Sequence, residues 1–274
     1  WQHGVPSRFS PEVREFAAAS EDRAFVREME IADVTAGHLE PIGAHDSSKP
    51  PAVVVWGDSH AMAAMSAFDS WLRENGRSGW QATRSATPPL LDYWYSSVVL
   101  GPRSHEFAEG VIAFVTKHRV PNTVLVARWS AYAHVGHGDP RAALLKTIAA
   151  LAPSGTRVWI VAEMPGHTFL VPHVLATASY RNIDYTHLQS RPDGSAGLLD
   201  DSPEWLSQLH ASGVRILDAR PLFIDRAGCY AIEQDGIALY RDEHHLSSAG
   251  AIQILKPLLR RTVDLNDESG AHTK

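Results

Sequence analysis

One cysteine, Cys229, stands among 274 residues, so no intrachain disulfide can form. With no partner signature around it, Cys229 reads as buried filler rather than a catalytic thiol. No apolar run approaches the ~18 residues that a membrane-spanning helix needs, and no secretory leader is visible. Basic residues are few, 25 against 31 acidic ones, for a net charge of −6. That balance argues against nucleic acid as a partner. Nucleotide-binding glycine patterns are missing, both Gly-x-x-x-x-Gly-Lys and Gly-x-Gly-x-x-Gly. There is no Gly-x-Ser-x-Gly elbow, which disfavours an α/β-hydrolase. Fifteen histidines invite a metal, but His-Glu-x-x-His and cysteine clusters are absent. The spaced pair His134-x-x-His137 reads as a solvated loop, so no metal and no cofactor is expected.

What the chain does have is a sizeable apolar fraction, 44%, with 20% charged residues. The stretch from Ala52 to Met62 organises it. Val53, Val54, Val55 and Trp56 form a short buried strand. Gly57-Asp58 breaks that strand. From His60 on, Ala61, Met62, Ala64, Met65, Phe68, Trp71 and Leu72 recur at helical spacing. Ser59 therefore sits where a strand ends and a helix begins. Its hydroxyl can stand above the sheet edge, and its own N–H points toward an anion forming nearby. Alone, Ser59 is better explained as a helix cap, and the nucleophile reading depends on a partner elsewhere in the chain.

A second stretch, Tyr240 to Ser247, complements the first. Asp242 and His245 lie three residues apart, just before a helical pattern over Ala249 to Leu259. One turn of chain can set that carboxylate against that imidazole. The carboxylate would fix the ring's tautomer, and the ring would take the serine's proton. Ser59, His245 and Asp242 are thus a candidate nucleophile, base and orienting acid. Asp58 reads as a turn residue.

Between these stretches, short apolar strands alternate with helices. Strands are expected at Gly79 to Arg84, Asn122 to Ala127, Arg157 to Ala162 and Val214 to Asp218. Helices are expected near Pro11 to Ala19, Phe107 to Val115, Pro140 to Leu151 and Pro203 to His210. Gly228 to Tyr240 suggests a hairpin centred on Gln234-Asp235-Gly236, and residues 164 to 200 show no clean period. This alternation predicts a parallel sheet covered on both faces, a three-layer α/β/α sandwich. Ligands of such sheets sit beyond the carboxyl ends of strands, which is where Ser59 falls. Residues 1–50 are expected to be an extension or linker, 51–262 the folded domain, and 263–274 a frayed polar tail. The chain opens on Trp1 rather than Met, which reads as excision from something longer.

Gly57-Asp58-Ser59-His60 resembles the first block of the SGNH (GDSL-like) hydrolases, and Asp242-Glu243-His244-His245 resembles their last. The longer forms, Gly-Asp-Ser-His-Ala and Tyr-x-Asp-x-x-His-Leu-Ser-x-x-Gly-Ala, are similar to the SGNH domain fused to acyltransferase family 3 membrane proteins. Those proteins O-acetylate bacterial surface polysaccharides. The resemblance spans roughly residues 50 to 260 and implies an SGNH/flavodoxin-like sandwich. It implies an acetyl group passed through a Ser59 ester to a glycan hydroxyl. It also implies a periplasmic or extracytoplasmic location, as the soluble C-terminal domain of an inner-membrane protein, and a membrane-embedded acyltransferase domain as donor. A carbohydrate esterase with the same triad, or an idle glycan-binding module, are the alternatives.

The resemblance also exposes a departure. SGNH hydrolases add a Gly N–H and an Asn side chain to the oxyanion hole, from loops that here read Ser85-Ala86-Thr87-Pro88 and Arg128-Trp129-Ser130. Neither loop has those residues, which favours transfer over hydrolysis. Thr87, Arg128 or Ser130 is the expected second donor beside the Ser59 N–H, and Ala127-Arg128-Trp129 resembles a segment recurring in the transferase-linked branch. His60 and His244 compete with His245 as base. His60 adjoins Ser59, and neighbours in a turn usually point apart; His244 has the poorer spacing by the resemblance. Trp56, Trp94, Trp129 and Tyr132 are candidates to line a sugar cleft.

Overall fold

Six short segments line up as one sheet in a computed structural model of the chain, which describes residues 6–44, 50–96, 99–133, 135–190 and 202–265. The first elements are α1 (Pro11–Ala18), α2 (Ile31–Ala36), β1 (Glu40–Gly43), β2 (Val53–Gly57), α3 (Ser59–Glu74) and β3 (Ser78–Thr83). Then come α4 (Ser104–His118), β4 (Asn122–Val126), α5 (Trp129–Tyr132), α6 (Pro140–Leu151) and β5 (Arg157–Val161). The chain closes with α7 (Val171–Arg181), α8 (Pro203–Ala211), β6 (Arg215–Leu217), β7 (Glu233–Gln234), β8 (Ile237–Ala238) and α9 (Ser248–Thr262).

The strand order is β1-β3-β2-β4-β5-β6. All neighbours run parallel except β1, which pairs antiparallel with β3. The period of two along each strand sends alternate residues to opposite faces. Val53, Val55, Val124 and Val126 join a core with α3 and α9 residues such as Phe68, Leu72, Ile254 and Leu255. Val54, Trp56, Leu125 and Ile160 join a second core with Phe107, Val111, Leu144 and Ile148 of α4 and α6. Helices cover both faces, as the alternation of strands and helices predicts.

The segment expected to be a linker belongs to the fold. Strand β1 extends the sheet, α1 packs on α7, and α2 packs on α4. The Met29 N–H donates to Thr83 O at 3.0 Å, and the Thr83 hydroxyl donates to Arg27 O at 2.9 Å. Its buried residues, among them Val13, Phe16, Met29, Ile31, Val34, Leu39 and Ile42, are spread among polar and charged neighbours, so the local pattern looks polar. Val263 and Leu265 are likewise buried rather than frayed, while residues 266–274 lie outside the described residues. Helix α7 falls within the stretch that shows no clean period. Its buried stripe is only Val171, Pro172, Leu175 and Ala178. The hairpin forms as expected, with Asp235 and Gly236 both at positive φ between β7 and β8.

Gly57 is required by close approach. It pairs with Val126 across the β2–β4 ladder, and a Cβ there would lie 1.7 Å from Val126 O and 2.9 Å from Ala61 Cβ. The obstructing atom is backbone in the sheet centre, so relief means parting two strands. Gly57→Ala is expected to cost about 3 kcal/mol, which lowers the thermal midpoint by roughly 6–12 °C at this chain length. Thermal denaturation followed by circular dichroism measures it; an unchanged midpoint would contradict the tight β2–β4 approach.

Candidate active site

The carboxyl ends of β2, β3, β4 and β5 open on one edge of the sheet, and four loops meet there. Asp58, between β2 and α3, caps that helix: its Oδ1 accepts the His60 N–H at 2.8 Å. Ser59 is therefore the first residue of the helix, not its cap. Its N–H makes no hydrogen bond to a described residue. The other Asp58 oxygen accepts the Arg128 N–H at 3.0 Å and the Tyr132 hydroxyl at 2.7 Å. One buried carboxylate thus ties the β2–α3 turn to the loop after β4. Burial pushes the Asp58 carboxyl above its usual range, against the pull of those three donors.

The second half of the site arrives with α9, which packs along α3. Ser247 caps α9, its Oγ accepting the Gly250 N–H at 2.9 Å. Just ahead, residues 241 to 245 form a loop closed by the Arg241 N–H donating to His245 O at 2.9 Å. Inside it, Asp242 Oδ1 accepts the His244 and His245 N–H groups at 2.9 and 2.7 Å. Asp242 Oδ2 lies 2.7 Å from His245 Nδ1, and His245 Nε2 lies 2.8 Å from Ser59 Oγ. Burial alone would raise the Asp242 carboxyl, but the His245 ring and the two N–H donors hold it well below the usual carboxylate range. An ionised carboxylate only accepts, so Nδ1 bears the ring proton. Nε2 then presents its lone pair to the Ser59 hydroxyl.

This loop is held from three directions. Asp22, in the segment expected to be a linker, accepts the Ser248 N–H at 2.5 Å and the Ser248 hydroxyl at 2.9 Å. Arg241 reaches Asp22 O at 3.1 Å. From the opposite side, the His167 N–H donates to Glu243 O at 2.8 Å. From beneath, the Ser247 N–H donates to Leu239 O at 3.0 Å.

Ser59, His245 and Asp242 are thus brought together in hydrogen-bonding order. The other candidates divide. The Thr87 N–H donates to Arg84 O and its hydroxyl to Ser85 O, both at 3.2 Å. Ser130 gives its N–H and hydroxyl to Glu163 at 2.5 and 2.6 Å. The Arg128 N–H is committed to Asp58, whereas its half-buried guanidinium makes no ion pair with a described residue, and its charge reaches His60, His244 and Glu163. Trp129 is fully buried, its indole N–H donating to Val161 O at 2.8 Å. Trp56 and Tyr132 are core residues too, so of the four aromatic candidates only Trp94 has an accessible face; it stacks on His137 with ring centroids 3.6 Å apart. His134 lies outside the described residues.

Two residues were not foreseen from sequence. Asp58 is an anchor as well as a turn residue, and its Gly-Asp-Ser-His context could have signalled that. Glu163, after β5, could not have been found locally. His60 and His244, the competing bases, meet each other: His60 Nε2 lies 3.1 Å from His244 Nδ1. Burial and neighbouring charge push both rings down, His244 to about 4, so both stay neutral at pH 7.

A family model described as the SGNH domain fused to AT3 domains matches residues 27–260. Among curated proteins none matches. Among solved structures, the periplasmic domain of a Salmonella ser. Paratyphi A lipopolysaccharide acetyltransferase superposes with a TM-score of 0.58 at 15% identity, over 94% of this chain and 97% of that one. That likeness shows the fold. A GDSL-like lipase from Bacteroides thetaiotaomicron VPI-5482 has a TM-score of 0.45 at 11% identity, over 90% and 97% of the two chains.

Burial beside the loop sets a pH response. His167, packed against Tyr240, is pushed down from 6.5 to about 4 by burial. Below pH 6.5 the unfolded chain takes a proton there that the folded chain refuses. Stability from this ring is therefore whole above about pH 6.5 and is lost as pH falls toward 4, at up to ~1.4 kcal/mol per pH unit. His60 and His244 act in the same direction. The thermal midpoint should drop between pH 7.5 and 5, and His167→Phe should drop less. Equal drops in parent and variant would refute the burial of this ring.

Proposed function

The chain belongs to the family of SGNH domains fused to AT3 domains, and on that footing we propose that it passes an acetyl group through Ser59 to a hydroxyl of a cell-surface glycan. The observation behind this is the unbroken line from Ser59 Oγ to His245 Nε2, 2.8 Å, and from His245 Nδ1 to Asp242 Oδ2, 2.7 Å. Ser59 Oγ attacks the acyl carbonyl while its proton moves to His245 Nε2. The tetrahedral intermediate expels the donor's leaving group, which takes that proton from His245. An acceptor hydroxyl then attacks the Ser59 ester, gives its proton to His245, and Ser59 departs and is reprotonated. Asp242 keeps the imidazole in one tautomer and stabilises the imidazolium.

The oxyanion is assigned to the free Ser59 N–H at the start of α3, with the Arg128 guanidinium as the second donor. The N–H groups of Thr87, Arg128 and Ser130 are already committed to protein acceptors. A hole with one backbone donor suits transfer from an activated donor held in place by a partner domain. Among the described residues no helix is long and apolar enough to cross a membrane. The acyl donor is expected to come from a membrane-embedded acyltransferase domain, with the glycan met outside the cytoplasmic membrane. Fusion of this family to AT3 domains supports both expectations.

Intact mass after brief exposure to p-nitrophenyl acetate tests the nucleophile. One acetyl adduct is expected on the parent and none on Ser59→Ala. An adduct that persists supports transfer with a slow water step; rapid turnover without accumulation supports an esterase instead. Absence of both would overturn the assignment of Ser59. Asp242→Asn should slow acylation about 10³–10⁴-fold by presenting the wrong tautomer. Arg128→Ala should slow it about 10²-fold, as loss of an oxyanion donor does.

A further inference from the structure

Acyl transfer uses one imidazole, yet three meet at Ser59. His60, on the second residue of α3, faces His244 and His245 from a loop 184 residues further on. One ring nitrogen from each of the three lies within 4.8 Å of the others. The His60 and His244 rings are stacked, with centroids 5.1 Å apart and planes 9° apart. His60 Nε2 and His244 Nδ1, 3.1 Å apart, must share one proton between two lone pairs, and no described side chain takes either atom otherwise.

We propose that His60 Nε2, His244 Nδ1 and His245 Nε2 form a binding site for one divalent transition-metal ion of the zinc type, with Ser59 Oγ as fourth ligand, and that the bound ion blocks the serine. Three imidazoles and one oxygen are a donor set that suits Zn²⁺ and Co²⁺. Asp242 behind His245 supplies the carboxylate–histidine–metal arrangement that orients a ligating ring. Binding needs only a change of tautomer: His60 keeps its proton on Nδ1 and His244 on Nε2. No covalent bond forms or breaks.

The fit is close for one pair and needs movement for the rest. Zinc–nitrogen bonds of about 2.0–2.1 Å set tetrahedral ligands about 3.4 Å apart. The His60–His244 separation of 3.1 Å is near that value already, while a pair at 4.8 Å would close by about 1.4 Å. Because the loop backbone is held by Asp242 and its neighbours, that closure falls to rotation of the side chains. The ion would take the His245 lone pair that otherwise receives the Ser59 proton, so metal and acyl transfer exclude each other. The metal site itself stands on ring geometry; only its effect on transfer rests on Ser59 being the nucleophile.

Titration of the full chain with Co²⁺, followed by the visible absorption of tetrahedral cobalt, reads binding without any acyl chemistry. Zn²⁺ competition and calorimetry give stoichiometry and affinity. One equivalent should bind, and His244→Gln should weaken binding by more than the ~10–100-fold that loss of a mere outer-shell partner brings. His60→Gln, checked for folding by circular dichroism, should do the same. Zn²⁺ should also slow acetylation of Ser59 in the parent, with a midpoint matching the calorimetric affinity, and His244→Gln should escape that inhibition relative to its own metal-free rate. No cobalt spectrum, or binding retained in both variants, would put any ion elsewhere among the fifteen histidines and overturn the site. Binding lost in the variants but acetylation of the parent unaffected by Zn²⁺ would overturn the blockade. Should Ser59 never acetylate, the cobalt titration still decides the site.

Discussion

Everything at the sheet edge hangs on one buried carboxylate. Asp58 accepts from His60, Arg128 and Tyr132, and these three donors belong to two different strand-to-helix turns. A buried acceptor is costly unless it is satisfied. The turns after β2 and β4 can therefore settle only where all three donors converge. That settlement aims the Ser59 hydroxyl away from the core and leaves its N–H open. Gly57 makes it geometrically possible, since β2 and β4 approach there too closely for a Cβ.

The candidate base comes from the far end of the chain and needs its own restraints. A loop of five residues bearing Asp242 and His245 would be floppy if left to solvent. Instead Asp22 holds the start of α9, residues 167 and 171 hold the backbone of 242 and 243, and Leu239 holds Ser247. The segment that reads as a tether is one of these supports. Its value to the site is preorganisation: these supports fix the Ser59–His245–Asp242 line in one geometry.

Electrostatics at the edge are set by crowding. Three imidazoles and the Arg128 guanidinium share a partly dry space, so additional positive charge is disfavoured and His60 and His244 stay neutral. His245 alone has an ionised carboxylate at hydrogen-bond distance. The Asp242 contact singles out His245 as the candidate base, and the two rings beside it supply the further nitrogen donors on which the proposed metal site rests.

Local pattern sufficed for much of this protein. Alternating apolar strands and helices determined a sandwich with a mostly parallel sheet, because period two and period 3.6 bury different faces. The strand-to-helix position of Ser59 and the Asp-x-x-His spacing were legible because each needs only a few consecutive residues. Helix α2, β1 and α7 were not, because their buried residues are too few and too scattered to form a period; they fold by what they pack against. The commitment of Thr87 to its own turn and of Ser130 to Glu163, the burial of Trp129, the anchoring by Asp58 and the meeting of His60 with His244 were decided by tertiary structure alone. Those contacts join residues 70 to 184 positions apart, or depend on which face of a loop the core claims, and no local pattern encodes a distance that only the closed sheet and the α3–α9 packing create.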